Sequence, residues 1–303
     1  MHMEQYSSNN SKYTTQLLDN FRSHDAILKF SNDHFYNEKL RAKVPKEIAD
    51  FAINWNFLPN KRFPIILHAS LSSCEKTIGD TSWSNMDEVN MVKTYVNTLL
   101  MKGINGKKVK QKDIGVISFY KAQLDILKKA FSAILFMEIG TAEYYQGREK
   151  KIIIITTVKS NSCIGFLNEE KVSRFRQFRF KICCSIIIIE LNYNMYILKR
   201  INVAMTRARS LMILVCNPKT LQKDQMWYDF IKYCYDNKAC VGEQFRMNMK
   251  SPQQIARQNY ERKQASERER LRLEAFLFRE RISQYLQIEN TYACNWNMIM
   301  RKL

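Results

Sequence analysis

The sequence predicts an α/β fold, in which helices pack on a mostly parallel sheet, followed by a charged helical tail. Two apolar runs indicate the sheet. Ile152 to Val158 and Leu211 to Cys216 are continuous enough to be buried strands. Between such runs lie stretches with helical spacing of apolar residues, such as Asp87 to Met101. Strands that alternate with helices are typical of a parallel sheet with helices packed against it.

The composition favours a phosphate-rich partner. The 303 residues include 48 Lys and Arg against 29 Asp and Glu, a formal charge of +19. The hydrophobic share of 46% is enough for a proper core. Eight cysteines are scattered without metal-ligand spacing, so we expect free thiols and no metal site. Neither a signal peptide nor an uncharged run of about 20 apolar residues is visible, and we expect no membrane contact.

Further strands and helices follow in order along the chain. Strands are predicted at Phe63 to His68, Ile114 to Ser118 and Met137 to Thr141. Helices are predicted from Phe119, with Leu124, Leu127 and Phe131 on the inner side, and over Leu221 to Tyr235. Ser251 to Gln254 is a capping box with Pro252 at the first helical position, and its helix extends to about Gln287. This tail is charged and solvated. We expect it to bind a protein partner, and contact with RNA is the second interpretation.

Two basic or polar segments adjoin the buried strands. Arg200 to Arg209 has the spacing of a short helix and leads directly into a strand, so its arginines are rigidly mounted. Alone, such a helix would simply have a solvated basic side. Tyr145 to Lys151 is a polar turn that contains Gly147 and leads into the isoleucine run. In open α/β sheets ligands collect at strand ends.

These segments resemble motifs V and VI of superfamily 1 helicases, in the forms "QGRE" (146–149) and "NVAMTRAR" (202–209). Within that superfamily the chain resembles RNA helicases of the up-frameshift and Armitage type, which include the Moloney-leukemia-virus-10-like proteins. Asn20 to His24 is similar to the family's "YRSHP" segment, with Phe21 for tyrosine and Asp25 for proline. The turn after Ser118 is similar to "SPY-KQ", with Phe119 for proline. Lys159 to Asn161 matches the family's "TVRSN" pattern. The resemblance implies a RecA-like, P-loop NTPase-type domain.

The resemblance also implies roles at a nucleotide. Arg207 and Arg22 would act as arginine fingers on the γ-phosphate, and Gln146 and Glu149 would couple the nucleotide and the ribose to strand movement. Gly147 would allow close backbone approach, and Phe21 would pack near adenine. The alternatives are a plain core aromatic for Phe21 and a surface ion pair for Arg22. Along the RNA backbone the resemblance places Ser118, Tyr120, Thr141, Ser160 and Asn161. A turn hydroxyl such as that of Ser118 is otherwise a simple cap.

The sequence lacks a phosphate loop (Walker A) and a Walker B acidic pair. In the family both lie on the first RecA-like domain, so we expect a C-terminal half that uses ATP and Mg²⁺ only with that domain and hydrolyses no ATP alone. The resemblance implies an RNA helicase of RNA silencing, with RNA and Argonaute or Piwi-type proteins as partners, in cytoplasmic ribonucleoprotein granules.

Two alternatives stay open. The first is a non-catalytic basic RNA-binding or protein-docking module, and the second, which the charge disfavours, is a nucleotide-binding regulator.

The predicted organisation has three parts: a disordered N-terminus (1–13), the second RecA-like domain (14–248) and the charged helical tail (249–303). Residues 172–199 interrupt the resemblance and have no counterpart in it. Their composition suits A/T-rich codons, and we interpret them as a retained intron translated in frame. A genuine surface insertion is the alternative, although its β-prone apolar run would be an aggregation hazard.

The intron hypothesis predicts a transcript in which Lys171 is joined directly to Arg200. Full-length cDNA sequencing from this locus checks it. If deep sequencing recovers only messages that encode residues 172–199, the segment is a genuine insertion and the hypothesis fails.

Overall fold

The computed structural model describes residues 17–76, 82–160, 200–272 and 274. The described strands are β1 (Asp19–Asn20), β2 (Arg41–Ala42), β3 (Ile65–Ala69), β4 (Glu75–Lys76), β5 (Trp83–Ser84), β6 (Ile114–Ser118), β7 (Glu138–Gly140), β8 (Lys150–Thr156), β9 (Ala208–Cys216) and β10 (Cys240–Gly242). The described helices are α1 (Asp25–Phe35), α2 (Lys46–Ala49), α3 (Met86–Lys102), α4 (Lys121–Ala130), α5 (200–205), α6 (Pro218–Leu221), α7 (Gln225–Asp236) and α8 (252–272).

Six of the strands form one sheet in the order β10-β3-β9-β8-β6-β7, and each adjacent pair runs parallel. The predicted α/β fold with a mostly parallel sheet is therefore confirmed. Two small sheets accompany it, a parallel β1–β2 pair and an antiparallel β4–β5 pair.

The central strands are apolar over most of their length because helices cover both faces of the sheet. Ile153 of β8 lies in a cluster with Phe30 of α1 and Trp227 of α7, whereas its neighbour Ile154 lies in a second cluster with Val92 of α3. All five side chains are buried. Burial of each such side chain contributes about 1.5–3 kcal/mol, so the isoleucine run holds both layers of helices to the sheet.

The common strand direction gives the sheet two chemically distinct edges. We call the edge where strands begin the amino edge, and the edge where they end the carboxyl edge. Lys150 pairs with Ala208 at the first, and Thr156 pairs with Val215 at the second. At about 3.3 Å per residue, the seven residues of β8 separate the two edges by roughly 20 Å.

The basic segment before β9 differs from its prediction. The described part of α5 ends at residue 205, and β9 already begins at Ala208, so a helix that continues to Arg209 is wrong. The reason is pairing with the neighbouring strand, because Ala208 lies opposite Lys150 at the start of β8. Arg207 therefore occupies a turn, and Arg209 lies in a strand.

The chain divides into two compact units, Met1–Asn248 and Met249–Leu303. In the second unit the predicted capping box is confirmed. The Ser251 N–H donates to Gln254 Oε1 at 2.8 Å, and the Gln254 N–H donates to Ser251 Oγ at 3.3 Å. Most side chains of α8 are exposed, and Arg257 pairs with Glu261 one turn on. The predictions for 1–13 and 172–199, and for the tail after 274, lie outside the described residues.

Among the helices that the structure describes, none is long and apolar enough to cross a bilayer.

Candidate functional site

Arg207 is anchored at the amino edge by the backbone around it. Its Nε donates to the Val203 carbonyl at 3.0 Å, and one terminal nitrogen donates to the carbonyls of Tyr145 and Arg148, both at 3.5 Å. The other terminal nitrogen donates to Thr206 Oγ1 at 3.0 Å. The guanidinium thus joins the turn before β9 to the loop before β8, which is the mounting that the basic segment predicts.

The charge of Arg207 is unfavourably placed without an anion. Burial, and after it the positive charge of Arg22, lowers the pKa of Arg207 to about 10. The guanidinium stays protonated at neutral pH, so two cations face one another. No carboxylate among the described residues forms an ion pair with Arg207, and its partners are uncharged oxygens. Such a half-buried cation beside a second cation suits a polyanionic ligand.

Glu149 holds two further arginines at this edge. One carboxylate oxygen lies 2.5 Å from Arg22 Nε, and the other lies 3.5 Å from a terminal nitrogen of Arg209. The groups are partly solvated, so the Arg22 pair contributes roughly 0–1 kcal/mol to folding. A weak pair can be shared with an incoming phosphate at small cost. The surface ion pair that was the alternative for Arg22 is present here.

The loop that carries Arg22 is fixed at both of its ends. Asn20 Oδ1 accepts from the N–H groups of Arg22 at 2.9 Å and Ser23 at 3.0 Å, an Asx turn. Next along the chain, His24 Nδ1 caps α1 by accepting from the Ala26 N–H at 3.0 Å. The His24 N–H donates to the carbonyl of Arg209 at 2.9 Å. Arg22 is therefore fixed relative to β9.

Three other residues predicted at the nucleotide lie close in the chain to Arg22 or to Glu149 and are open to solvent. Phe21 is 67% exposed, so the alternative of a core aromatic is wrong in this structure. Gln146 and Gly147 are exposed in the loop before β8. Gly147 has a φ of +74°, in the left-handed region that favours glycine, and nothing lies within 4 Å of the position of a Cβ there. The backbone is thus accessible at Gly147.

One loop connects the two edges of the sheet. Residues 141–149 leave β7 at the carboxyl edge and enter β8 at the amino edge, so they pass across β6. Buried Tyr145 anchors the crossing, since its hydroxyl donates to the Glu138 carbonyl at 2.7 Å. Gly115 of β6 makes room, because a Cβ there would lie 2.4 Å from the Tyr145 hydroxyl. Glu143 of this loop forms an ion pair with Arg200 of α5.

The residues predicted to contact RNA follow strands at the carboxyl edge, but not all of them face solvent. Ser118 at the end of β6 is fully buried, and Tyr120 is 3% exposed. Ser118 Oγ accepts from the Tyr120 N–H at 3.4 Å, as the capping alternative expects. Thr141 and Ser160 are partly exposed, and Thr141 lines a groove of about 630 Å³ beside β7. Asn161 lies outside the described residues.

The carboxyl edge also contains Glu88, which the sequence analysis did not predict as a site residue. Glu88 lies in the first turn of α3 and is fully buried. Its Oε2 accepts from Thr156 Oγ1 and, at 2.9 Å, from the Val158 N–H. Burial raises the pKa of Glu88 to about 7, against the opposing effect of these hydrogen bonds. The local sequence indicates only a helix start, because the partners lie 68 and 70 residues away.

Neighbouring amides connect Glu88 to α4 and to the segment that follows β3. Gln123 of α4 accepts from the Asn85 N–H at 2.9 Å and donates to Thr156 Oγ1 at 3.1 Å. Asn85 caps α3 by accepting from the Glu88 N–H at 3.1 Å, and it also accepts from Ser72 Oγ at 3.1 Å. All of Asn85, Glu88, Gln123 and Thr156 are buried. The result is a hydrogen-bonded polar cluster beneath the carboxyl edge.

The chain is similar to known proteins over most of its length. A family model described as "AAA domain" matches residues 1–219. "Putative helicase MOV-10" of Gallus gallus is 33% identical over 247 residues, which cover 77% of this chain and 24% of that protein. "RNA helicase Mov10l1" of Homo sapiens is 30% identical, covering 78% and 18%, and "Probable RNA helicase armi" of Drosophila melanogaster is 27% identical, covering 78% and 19%. The chain spans about a fifth of the length of these curated relatives.

The buried carboxyl of Glu88 predicts a pH dependence of stability. Its pKa is about 7 in the fold against an ordinary value of 4.5 for a solvated glutamate, so between these values the folded state binds more protons than the unfolded state. The free energy of unfolding therefore falls as pH rises from about 4.5 to 7, by up to about 3 kcal/mol from this group. Urea unfolding of the wild type and of Glu88→Gln from pH 5 to 8 measures this free energy. The free energy of unfolding of Glu88→Gln, relative to that of the wild type, should rise with pH.

The matched control is Glu47→Gln, the same chemical change at an exposed position of α2. Its stability should follow the wild-type pH profile. If the free energy of unfolding of Glu88→Gln changes with pH in parallel with that of the wild type, Glu88 is not the source of the pH dependence.

Proposed function

From the premise that the chain belongs to the AAA domain family and is a Mov10-like superfamily 1 helicase domain, we propose that it is the C-terminal part of an ATP-dependent RNA helicase. It supplies arginine fingers and part of the RNA groove to that enzyme. One observation carries the proposal. Arg207 is rigidly held at the amino edge beside Arg22, and no described carboxylate pairs with it.

The chemistry of phosphoryl transfer suits these two cations. Charge develops on the equatorial oxygens of the transferred phosphoryl group, and an arginine finger that stabilises it contributes about 10³–10⁵ in rate. Arg207 is the principal finger, because its guanidinium is already anchored. Arg22 is the second, and a phosphate would share it with Glu149. The ring of Phe21, next to Arg22 in the chain, and Gln146 and Gly147, close to Glu149, are exposed and would contact the rest of the nucleotide.

ATP and Mg²⁺ also require groups from another domain. The sequence has no phosphate loop with its lysine. Arg207 and Arg22 fit a terminal phosphate, whereas the phosphate-binding lysine and the Mg²⁺-binding acid would come from the first RecA-like domain. The proposal therefore assigns hydrolysis to the two domains together and none to this chain alone.

RNA would lie along the carboxyl edge, near Thr141 and Ser160, and Asn161 stays a contact predicted from the sequence alone. Contacts to phosphate and ribose there position the strand without reading its sequence. The proposal extends to RNA silencing, with Argonaute or Piwi-type partners in cytoplasmic granules. Its support is the resemblance of the chain's motifs to helicases of the Armitage type.

A second candidate is a basic RNA-binding or docking module without catalytic use of the arginines. The formal charge of +19 favours it, and so does the exposed, arginine-rich α8. Its binding energy would come mainly from phosphate contacts and would be salt-dependent.

Arg207→Ala in a chain joined to the first RecA-like domain of a relative should lower RNA-stimulated phosphate release about 10³-fold or more. Arg207→Lys should not restore it, because an ammonium lacks the planar fork of the guanidinium. A phosphate-release assay measures both, with the present chain alone expected at the blank.

The control is Arg62→Ala, which removes an exposed arginine before β3 that belongs to no described ion pair. It should leave turnover unchanged. Turnover that survives Arg207→Ala, with only RNA affinity and its salt slope reduced, would overturn the finger assignment in favour of the binding module. Robust turnover by this chain alone would contradict the need for a second domain.

A further inference from the structure

A basic hairpin (103–112) connects α3 to β6. Asn105 and Gly106 form its turn, and both have a positive φ, as in the tight turns that join paired strands. Two backbone hydrogen bonds, at 2.8 and 3.0 Å, join Ile104 to Lys107. The side chains of Ile104 and Val109 are buried in the same cluster as those of α3. The hairpin is therefore packed into the fold.

Hydrogen bonds also anchor the hairpin to the segment between α2 and β3. Asn105 Nδ2 donates to the Ile53 carbonyl at 2.7 Å, and the indole N–H of buried Trp55 donates to the Gly103 carbonyl at 3.2 Å. Both partners from the earlier segment lie about 50 positions away in the chain. The position of the hairpin on this segment is thus fixed.

The hairpin and the end of α3 are rich in lysine and poor in negative charge. All the lysines of this stretch are exposed, and it contains no arginine: Lys102, Lys107, Lys108, Lys110 and Lys112. No described carboxylate forms an ion pair with any of them, and neighbouring Asp113 lies 4.0 Å from Lys151 instead. Concentrated like charges repel one another. An anionic ligand would relieve this repulsion.

Two phenylalanine rings position three of the ammonium groups. Lys107 Nζ lies 5.9 Å and Lys151 Nζ 4.9 Å from the centroid of the Phe51 ring, and Lys102 Nζ lies 5.3 Å from that of Phe57. Two cations therefore converge on one ring despite their repulsion, and a phosphate beside that ring would meet both. We call these rings, Lys151 and the five lysines of 102–112 the basic surface.

The basic surface is separate from the two groups of residues described above. Phe51 packs against the cluster that contains the apolar side chains of α3, whereas Ala204 and Tyr145, which contact Arg207, belong to the cluster on the other face of the sheet. The surface lies at the last turn of α3, and Glu88 at the carboxyl edge lies in the first turn. Its lysines therefore belong to neither site.

The side chains present favour a nucleic-acid backbone over a protein partner. Lysine is depleted in protein–protein interfaces, where arginine is enriched. An ammonium is a compact point charge that meets phosphate oxygens without a fixed fork geometry. Phe57 is 44% exposed, and an exposed ring among lysines suits stacking of an unpaired base. A lysine cluster with aromatic rings is typical of surfaces that bind single-stranded nucleic acid.

We propose that the basic surface is an accessory binding site for single-stranded RNA, in which the lysines contact phosphates and Phe57 stacks on a base. RNA is the expected strand because relatives of this chain are RNA helicases. The inference goes beyond the proposed function, and it requires neither the arginine fingers nor RNA at the carboxyl edge.

The test is the affinity of the full chain for a fluorescent oligouridine, measured by anisotropy from 50 to 300 mM salt. A triple variant with Lys107→Gln, Lys108→Gln and Lys110→Gln should bind on the order of tenfold more weakly. Its salt slope should be shallower by about 2, since each phosphate contact to a single strand contributes about 0.7. Phe57→Ala should weaken binding on the order of fivefold with an unchanged salt slope, because a ring releases no counterions.

The matched control is a second triple variant, with Lys39→Gln, Lys43→Gln and Lys238→Gln. These lysines are exposed, lie outside the basic surface and form no ion pair with a described residue, so the net charge falls by the same amount. The salt slope should stay at its wild-type value, since distant exposed charges are screened. Acetylation footprinting locates the contact: oligouridine should protect Lys107 and Lys108 and leave Lys39 and Lys43 reactive.

The outcomes separate this inference from the proposed function. A wild type that binds RNA, with affinity and salt slope unchanged in the first triple variant, overturns the accessory site and leaves the proposed function standing. Equal losses of slope in both triple variants also contradict the site, because the effect would then follow net charge. If the first triple variant loses slope while Arg207→Ala leaves turnover of the joined enzyme unchanged, the accessory site stands and the finger assignment fails. A wild type that binds no RNA at any salt concentration overturns the accessory site.

Discussion

The parallel direction of all six main strands organises the whole molecule. Because every strand begins at one edge and ends at the other, loops before strands gather at the amino edge and loops after strands at the carboxyl edge. The turn with Arg207 and the loop with Glu149 enter adjacent strands, so they meet. Ser118 ends a strand, Thr141 and Ser160 follow strands, and all three lie at the opposite edge. The buried isoleucines of β8 therefore support two groups of polar residues roughly 20 Å apart.

Each edge contains a buried or half-buried ionisable group without enough opposite charge around it, and the two groups have opposite signs. At the amino edge, burial and after it the positive charge of Arg22 lower the pKa of Arg207, so this cation lacks enough negative charge around it. At the carboxyl edge, Glu88 is a carboxylate without a described cationic partner, and burial raises its pKa to about 7. The 141–149 loop crosses β6 between these edges and holds Tyr145 in the gap above Gly115.

Much of the fold was predictable because it depends on local patterns. The isoleucine run and the spacing of Val89, Val92 and Val96 follow from periods that burial imposes on strands and helices. The end of the basic helix was not predictable, since strand pairing at Ala208 ends it. Phe21 is exposed although its aromatic character suits a core. Glu88 was missed because its burial depends on contacts with residues about 70 positions away. Such contacts leave no mark in the surrounding sequence.

The central claim is that nucleotide and RNA occupy opposite edges of one sheet. Photocrosslinking tests it most directly, with 8-azido-ATP and a thiouridine-labelled RNA on a chain joined to a first RecA-like domain, followed by peptide mapping. The account predicts that the nucleotide labels peptides with Phe21 or residues 145–149, and that the RNA labels those around Thr141 and residues 156–161. RNA crosslinks concentrated at Arg22, Glu149 and Arg207, with none at the carboxyl edge, would contradict it.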